Sequence, residues 1–221
     1  MDVLEAVKNR RSIRQFKTDV VPESLIGEIL AAAVWAPSWG NTQPWEIVVV
    51  TGEKLEAFKK ANKKLQLEGA APQPDTVMPT TWPETIKQRY NDIGKKVLTS
   101  LNIARGDKEA RQSYYSDMHT LFGAPAMLLY CLDREIAREY GMLDIGAIIQ
   151  TTCLLAYERG LGTCILSATV LYPQIAREII QIPASKAIIM GIALGYPVAQ
   201  TPVNAFDRER APLEEVVRWV K

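Results

Sequence analysis

Three arginines fall within five residues, Arg10, Arg11 and Arg14, with Ser12 between them. Guanidinium forks at that spacing can grip a phosphate, each charge-assisted hydrogen bond contributing about 1.5 to 3 kcal/mol. A solvated surface cluster is the competing reading. Arg208 and Arg210 lie near the other end of the chain. Alternate residues of an extended segment point the same way, so this pair could form the second half of a phosphate clamp. Between the two groups, Ser38, Asn41 and Gln43 occupy a stretch bounded by Pro37 and Pro44. Their polar side chains suit the amide and carbonyl edges of a planar heterocycle. Turn formation would also account for Ser38 and Asn41. It accounts less well for Gln43, Trp39 and Trp45, because loop tryptophans usually find a partner.

No other chemistry has its residues in place. The chain carries no GxxxxGK[ST], GxSxG, HExxH or strand-linked GxGxxG pattern, so ATPase, serine hydrolase, zincin and Rossmann readings lose their main support. One histidine, His119, and three dispersed cysteines, Cys131, Cys153 and Cys164, do not make a zinc site. That points to an organic cofactor. His119 itself reads as a helix histidine in packing or on the surface, since a pH-active role needs a specific partner.

The elements that must position these residues can be read from periodicity. Val3, Leu4, Ala6 and Val7 after Asp2 predict a short amphipathic helix ending at the arginines. Pro22 opens a second helix through Leu25, Ile26, Ile29, Leu30 and Ala33, broken at Pro37. Ile47 to Val50 predicts a buried strand closed by Gly52, followed by a helix through Leu55, Phe58 and Leu65. Ala70 to Pro83 holds four prolines (72, 74, 79 and 83) and reads as an excursion without regular structure. Helices are expected at about 84 to 104 and 108 to 121, a strand at Met127 to Leu132, and a long, apolar, central helix from Met142 to Arg159, stopped by Gly160. Buried strands at Thr163 to Leu166 and Ala187 to Leu194 flank a helix from Pro173 to Ile180. After Pro197 the chain loses periodicity until a short helix at Leu213 to Trp219, and an arm embracing a partner subunit would explain that.

Composition bounds the rest. In 221 residues, 48% are hydrophobic and 23% charged, a globular mixture with enough chain for a sizeable core. Lys plus Arg at 26 against Asp plus Glu at 25 leaves a net charge of +1, which offers no global field for nucleic acid. No apolar run reaches the length of a membrane span, and the start lacks a signal-peptide pattern. Three cysteines without CxxC spacing fit a reducing cytoplasm.

Taken together, Arg10-Arg11-Ser12-Ile13-Arg14, Ala36-Pro37-Ser38-Trp39-Gly40-Asn41-Thr42-Gln43-Pro44-Trp45, Gly160-Leu161-Gly162-Thr163, Gly191 to Pro197 and Arg208-Glu209-Arg210 resemble the FMN-dependent nitroreductase family. The resemblance runs from the first helix to the C-terminal arm. It implies one α+β domain over residues 1–221: an αβα sandwich with a central mixed or antiparallel sheet, a buried long helix and an extended arm at 198–221. It also implies a homodimer with two FMN molecules at the subunit interface. Arg10, Arg11, Ser12 and Arg14 would hold phosphate, ribityl chain and pyrimidine, joined by Arg208 and Arg210. Pro37, Ser38, Trp39, Asn41 and Gln43 would come from the other chain. Leu166, Ser167 and Ala168 match the segment whose backbone lies over the flavin, which makes the Ser167 N–H the candidate donor to N5; Gly195 corresponds as well. The implied activity passes hydride from NADH or NADPH through flavin N5 to a small aromatic nitro or quinone acceptor by a ping-pong mechanism. Residues 70–122 would cover the flavin face and set substrate choice.

Other chemistry on the same fold stays open at this level, including reductive dehalogenation and flavin fragmentation. A non-enzymatic flavin carrier and a flavin-free module that binds an acidic partner are the remaining readings.

Overall fold

A computed structural model describes residues 2–221. Helix α1 (Val3–Asn9) starts where the Asp2 side chain accepts the Leu4 N–H at 3.2 Å, satisfying a donor that the first turn leaves free. Helix α2 (Glu23–Ala33) follows Pro22 and buries Ile26, Ile29 and Ala33. Strand β1 (Trp45–Thr51) runs directly into α3 (Gly52–Leu67), with Gly52 at φ +57° making the turn. Two further helices, α4 (Glu84–Ser100) and α5 (Lys108–His119), precede β2 (Ala126–Asp133) and the long α6 (Arg138–Glu158). Strand β3 (Gly162–Leu166), a short α7 (Pro173–Ile175) and β4 (Lys186–Gly195) complete the centre of the molecule. Helices α8 (Pro202–Ala205) and α9 (Leu213–Val216) interrupt the arm.

The sheet order is β1-β2-β4-β3, and all three pairings are antiparallel. Alternation along β2 divides the core into two faces. Met127, Leu129 and Cys131 pack with Leu55, Phe58, Leu121 and Ile175 on one side. Leu128, Tyr130 and Leu132 pack with Ile26, Ile29, Ile145 and Ile148 on the other. The result is the expected αβα sandwich. No helix among the described residues is long and apolar enough to cross a membrane.

Several expectations change in detail. The outer strands β1 and β3 are not fully buried: each is a sheet edge, and Val49 and Ile165 are exposed. The helix expected over Pro173 to Ile180 is α-helical only to Ile175 and then widens into a π turn at Ala176–Ile180. The last helix stops at Val216, leaving Trp219 outside it. Helix α6 buries Ile145, Ile148, Ile149 and Cys153 against the sheet side, but Leu143 on its opposite face is 70% exposed. Apolar residues all round α6 thus serve one packed face and one face left open among the described residues. The arm is also held by its own chain. Its ion pairs Lys96–Glu209 and Arg89–Glu215 lay it along α4 of its own chain.

The proline-rich excursion is irregular as expected but firmly attached. Asp75 Oδ1 accepts from Arg134 at 2.6 Å, while its Oδ2 accepts from Arg177 at 2.7 Å and from the Ile188 N–H at 2.8 Å. Burial pushes the Asp75 carboxyl up, but the Ile188 N–H and the two guanidinium groups outweigh it and hold it below the usual carboxylate range.

Candidate cofactor site at the ends of helix α6

The arginine loop is an extended segment between α1 and the sheet. Ser12 bridges in parallel to Thr163, and the Ile13 N–H donates to the Thr163 carbonyl at 2.9 Å. This close approach requires Gly162, since a Cβ there would lie 2.5 Å from Ile13 Cγ1. Arg11 Nη1 donates to the carbonyls of Asn204 at 2.8 Å and Phe206 at 3.3 Å. Arg14 Nη1 donates to the Ser12 carbonyl at 3.2 Å, and its guanidinium carbon lies 5.9 Å from the Phe206 ring centroid. Arg208 folds back from the arm and donates to the carbonyls of Lys8, at 2.5 Å, and Arg10.

The fold therefore joins the two arginine groups that sequence separates by nearly the whole chain. Among the described residues, the arginines that form ion pairs are Arg89, Arg134, Arg159 and Arg177. Arg10, Arg11, Arg14, Arg208 and Arg210 form no ion pair with a carboxylate among the described residues. Burial, followed by the nearby charges of Arg11, Arg210 and Arg10, lowers the pKa of Arg208. Arg10 Nε is buried with no hydrogen-bond partner. Concentrated positive charge plus an orphaned guanidinium donor is the donor set that a phosphate monoester satisfies. Arg10 and Arg11 line a cavity of about 290 Å³ with Tyr157, Thr163 and Asn204. Arg210 is exposed, and its Nη1 donates to the Glu209 carbonyl at 2.8 Å.

The second group of residues is built on a strained loop. Gly40, Asn41 and Gln43 have φ of +53°, +59° and +49°, conformations that cost energy for residues other than glycine and recur at functional sites. Asp144 on α6 accepts the Trp39 N–H at 3.0 Å, and the Trp39 ring lies 4.9 Å from Tyr140. Ser38 Oγ accepts the Gln43 N–H at 2.9 Å, so the hydroxyl also serves the turn chemistry that was its alternative reading. Gln43 Nε2 donates to the Asn41 carbonyl at 3.2 Å. Pro37, Trp39, Asn41 and Gln43 are exposed.

These two groups attach to opposite ends of α6. The loop contacts Asp144, and the arginine cavity contacts Tyr157. The thirteen helical steps from Asp144 to Tyr157 span about 20 Å.

Leu166 ends β3, and Ser167–Thr169 form one tight turn with Ala168 buried. Asn62 fixes this turn by donating to the carbonyls of Ala168 at 3.0 Å and His119 at 2.9 Å. Gly195 is buried, and a Cβ there would lie 2.5 Å from Pro125 Cδ, so packing against Pro125 requires a glycine. His119 is buried with Nδ1 2.8 Å from the Tyr115 carbonyl oxygen. Burial lowers its pKa, partly offset by that contact.

Sequence reasoning missed four residues that position the site: Asn62, Asp75, Asp144 and Asn204. Asp144 carried a signal, being a carboxylate amid the apolar residues of α6. The others sit where no periodicity marks them.

Comparison with known proteins identifies the family and the fold. Residues 7–196 match the model of the Nitroreductase family. The chain is 30% identical to the 4-nitrobenzoate reductase of Nocardioides sp. (strain LMS-CY), over 97% of this chain and 88% of the relative. Its fold superposes with a TM-score of 0.95 on the FMN and NADPH-dependent nitroreductase NfnB from sphigopyxis sp. strain HMH, at 31% identity and 100% coverage of both chains. The FMN-dependent nitroreductase NfnB from Mycobacterium smegmatis, solved in complex with NADPH, gives a TM-score of 0.92 at 26% identity, over 99% of this chain and 97% of that one. With the family pattern matched over most of its length, this chain belongs to the nitroreductase family.

Proposed function

We propose that the chain is an FMN-dependent NAD(P)H oxidoreductase that reduces a nitroaryl or quinone-type acceptor, working as a homodimer with two shared sites. The observation that carries this reading is the cluster of Arg10, Arg11, Arg208 and Arg210, which lacks any carboxylate partner among the described residues. In each site, Arg10, Arg11, Ser12, Arg14, Arg208 and Arg210 would bind the phosphate, ribityl and pyrimidine parts from one chain. Pro37, Ser38, Trp39, Asn41 and Gln43 would close the same site from the partner. Their separation along α6 within one chain supports that division. So do Trp35 at 89% exposure and Leu143 at 70%, apolar surface that a second copy would cover.

When bound, the flavin supplies hydride chemistry, so the protein need not hold an acid–base triad. The Leu166-Ser167-Ala168 backbone, fixed by Asn62, would lie along the ring and present the Ser167 N–H to N5. Positive charge from the arginine loop would stabilise the anionic reduced state. Donor and acceptor would occupy the same space in turn, which gives ping-pong kinetics. The relatives named above support NADPH as donor and nitrobenzoate-type compounds as acceptors. Residues 1–221 would act as one domain, and three buried free cysteines suit the cytoplasm.

The absorbance spectrum of the purified protein with FMN, followed by NADPH-driven reduction of 4-nitrobenzoate, tests the reading. A protein-bound flavin band and nitroarene turnover support it. A chain that stays colourless with added FMN overturns it.

A further inference from the structure

A groove of about 810 Å³ runs between α4 and α5, within the size range of small-molecule sites. Tyr90, Tyr114 and Tyr115 line it alongside apolar side chains such as Ile93, Leu98 and Met118, giving flat surfaces on which an aromatic ring can pack. Its charged lining is one-sided. Arg14, Arg105, Arg111 and Lys95 face it, and no carboxylate does. Lys95 is already matched by Asp92 at 3.0 Å. Arg105 and Arg111 are not among the arginines that form ion pairs in the described residues. Arg111 Nη1 donates to the Arg105 carbonyl at 3.3 Å, which draws the two residues together across the α4–α5 turn.

From this we infer that the groove selects an aromatic acceptor bearing an anionic group, a benzoate-type carboxylate, with Arg105 and Arg111 as the anion-binding residues. The inference deepens the proposed oxidoreductase reading and rests on it for the acceptor's role. Arg14 lines this groove and belongs to the arginine loop, so the groove adjoins the candidate cofactor site through that residue. Burial pushes the Tyr114 hydroxyl up, opposed by the adjacent Arg14 guanidinium, and it stays a neutral hydrogen-bond donor. A ring carrying a carboxylate satisfies both features of the groove at once: stacking area from the tyrosines and a paired charge for the arginines. A neutral ring satisfies only the first.

Two measurements test this with wild-type protein and the double variant Arg105→Ala/Arg111→Ala. The first is calorimetric titration of the purified protein, with and without added FMN, using benzoate and its neutral counterpart benzamide. Benzoate should bind at least about tenfold more tightly, and the double variant should erase the preference. The second is the ratio of kcat/KM for 4-nitrobenzoate to that for 4-nitrobenzamide, which should fall at least about tenfold in the variant. The NADPH to NADH efficiency ratio should hold within about twofold. Equal affinity of the wild type for benzoate and benzamide overturns the inference, as does an unchanged acceptor ratio. A drop in the NADPH to NADH ratio instead assigns the arginines to the nucleotide phosphate and also overturns it. Failure to take up FMN sinks the oxidoreductase reading separately, and the titration without FMN then decides the groove alone.

Discussion

The side-chain amide of Asn204 holds the arginine loop directly: its Oδ1 accepts the Arg14 N–H at 2.7 Å. Its Nδ2 donates to the carbonyls of Gln15 at 2.9 Å and Val198 at 3.1 Å. One buried side chain thereby ties the arm to the loop that carries Arg10, Arg11 and Arg14. Replacing Asn204→Ala leaves the Arg14 N–H and two carbonyls short of partners. The expected loss is about 2 to 3 kcal/mol of stability, read by urea unfolding, together with weaker FMN binding. Stability and affinity both at wild-type values would show that the arm is not a strut for this loop.

Asp75 anchors the proline-rich excursion from a nearly buried position. Asp75→Asn removes the charge that Arg134 and Arg177 face and weakens the bond to the Ile188 N–H. Both arginines are partly open to water, so the cost should be about 2 kcal/mol, below that of a fully buried pair. Limited proteolysis should then cut within 70–83, and an uncut excursion would contradict this role. Because the folded-state pKa of Asp75 is lowered from 3.8, its contribution is present above that value and lost as pH falls through the folded pKa.

His119 sets a second pH dependence. Its folded-state pKa is lowered from 6.5, first by burial, so as pH falls the unfolded chain binds a proton before the folded chain does. Stability is therefore intact well above pH 6.5 and declines below it, at a rate of at most about 1.4 kcal/mol per pH unit, until the folded histidine also protonates. Thermal melts at about pH 7.5 and 5.5 should show this decline, and His119→Gln should flatten it. An equally steep decline in the variant would move the effect elsewhere.

Much of this could be read from the sequence, because its signals were local. The β-branched run Ile47 to Val50, the proline break at Pro37 and the apolar periods of α2 and α6 each reflect forces acting within one element. The strain at Asn41 and Gln43 also falls inside a stretch already marked by its residue types. What could not be read depends on contacts between distant segments. Asn204 lies 190 positions from Arg14, and Asp75 lies 113 from Ile188; neither has a periodicity to betray it. The strand pattern could not show that β1 and β3 form edges, because an apolar run looks the same at a sheet edge as at its centre. The arm's aperiodicity suggested a partner, while the charges that lay it on α4, Glu209 and Glu215, look like ordinary surface residues.

The arginine cluster predicts a discrimination between ligands. Arg208→Ala/Arg210→Ala removes phosphate contacts, so FMN affinity should fall at least about tenfold, measured by fluorescence titration, with little change for riboflavin. An FMN affinity within about twofold of wild type would make both arginines surface residues.

The central claim is that one site draws Arg10 and Arg210 from one chain and Ser38 and Asn41 from its partner. Two variants, Arg10→Ala/Arg210→Ala and Ser38→Ala/Asn41→Ala, should each bind FMN poorly and turn over 4-nitrobenzoate slowly. Unfolded together and refolded as a mixture, they form hybrid dimers in which one site carries both lesions and the other carries none. Activity at saturating FMN should return to about a quarter of wild type, since about half the dimers are hybrids with one intact site of two. A mixture no more active than the two variants alone would mean that both residue groups serve a site within a single chain.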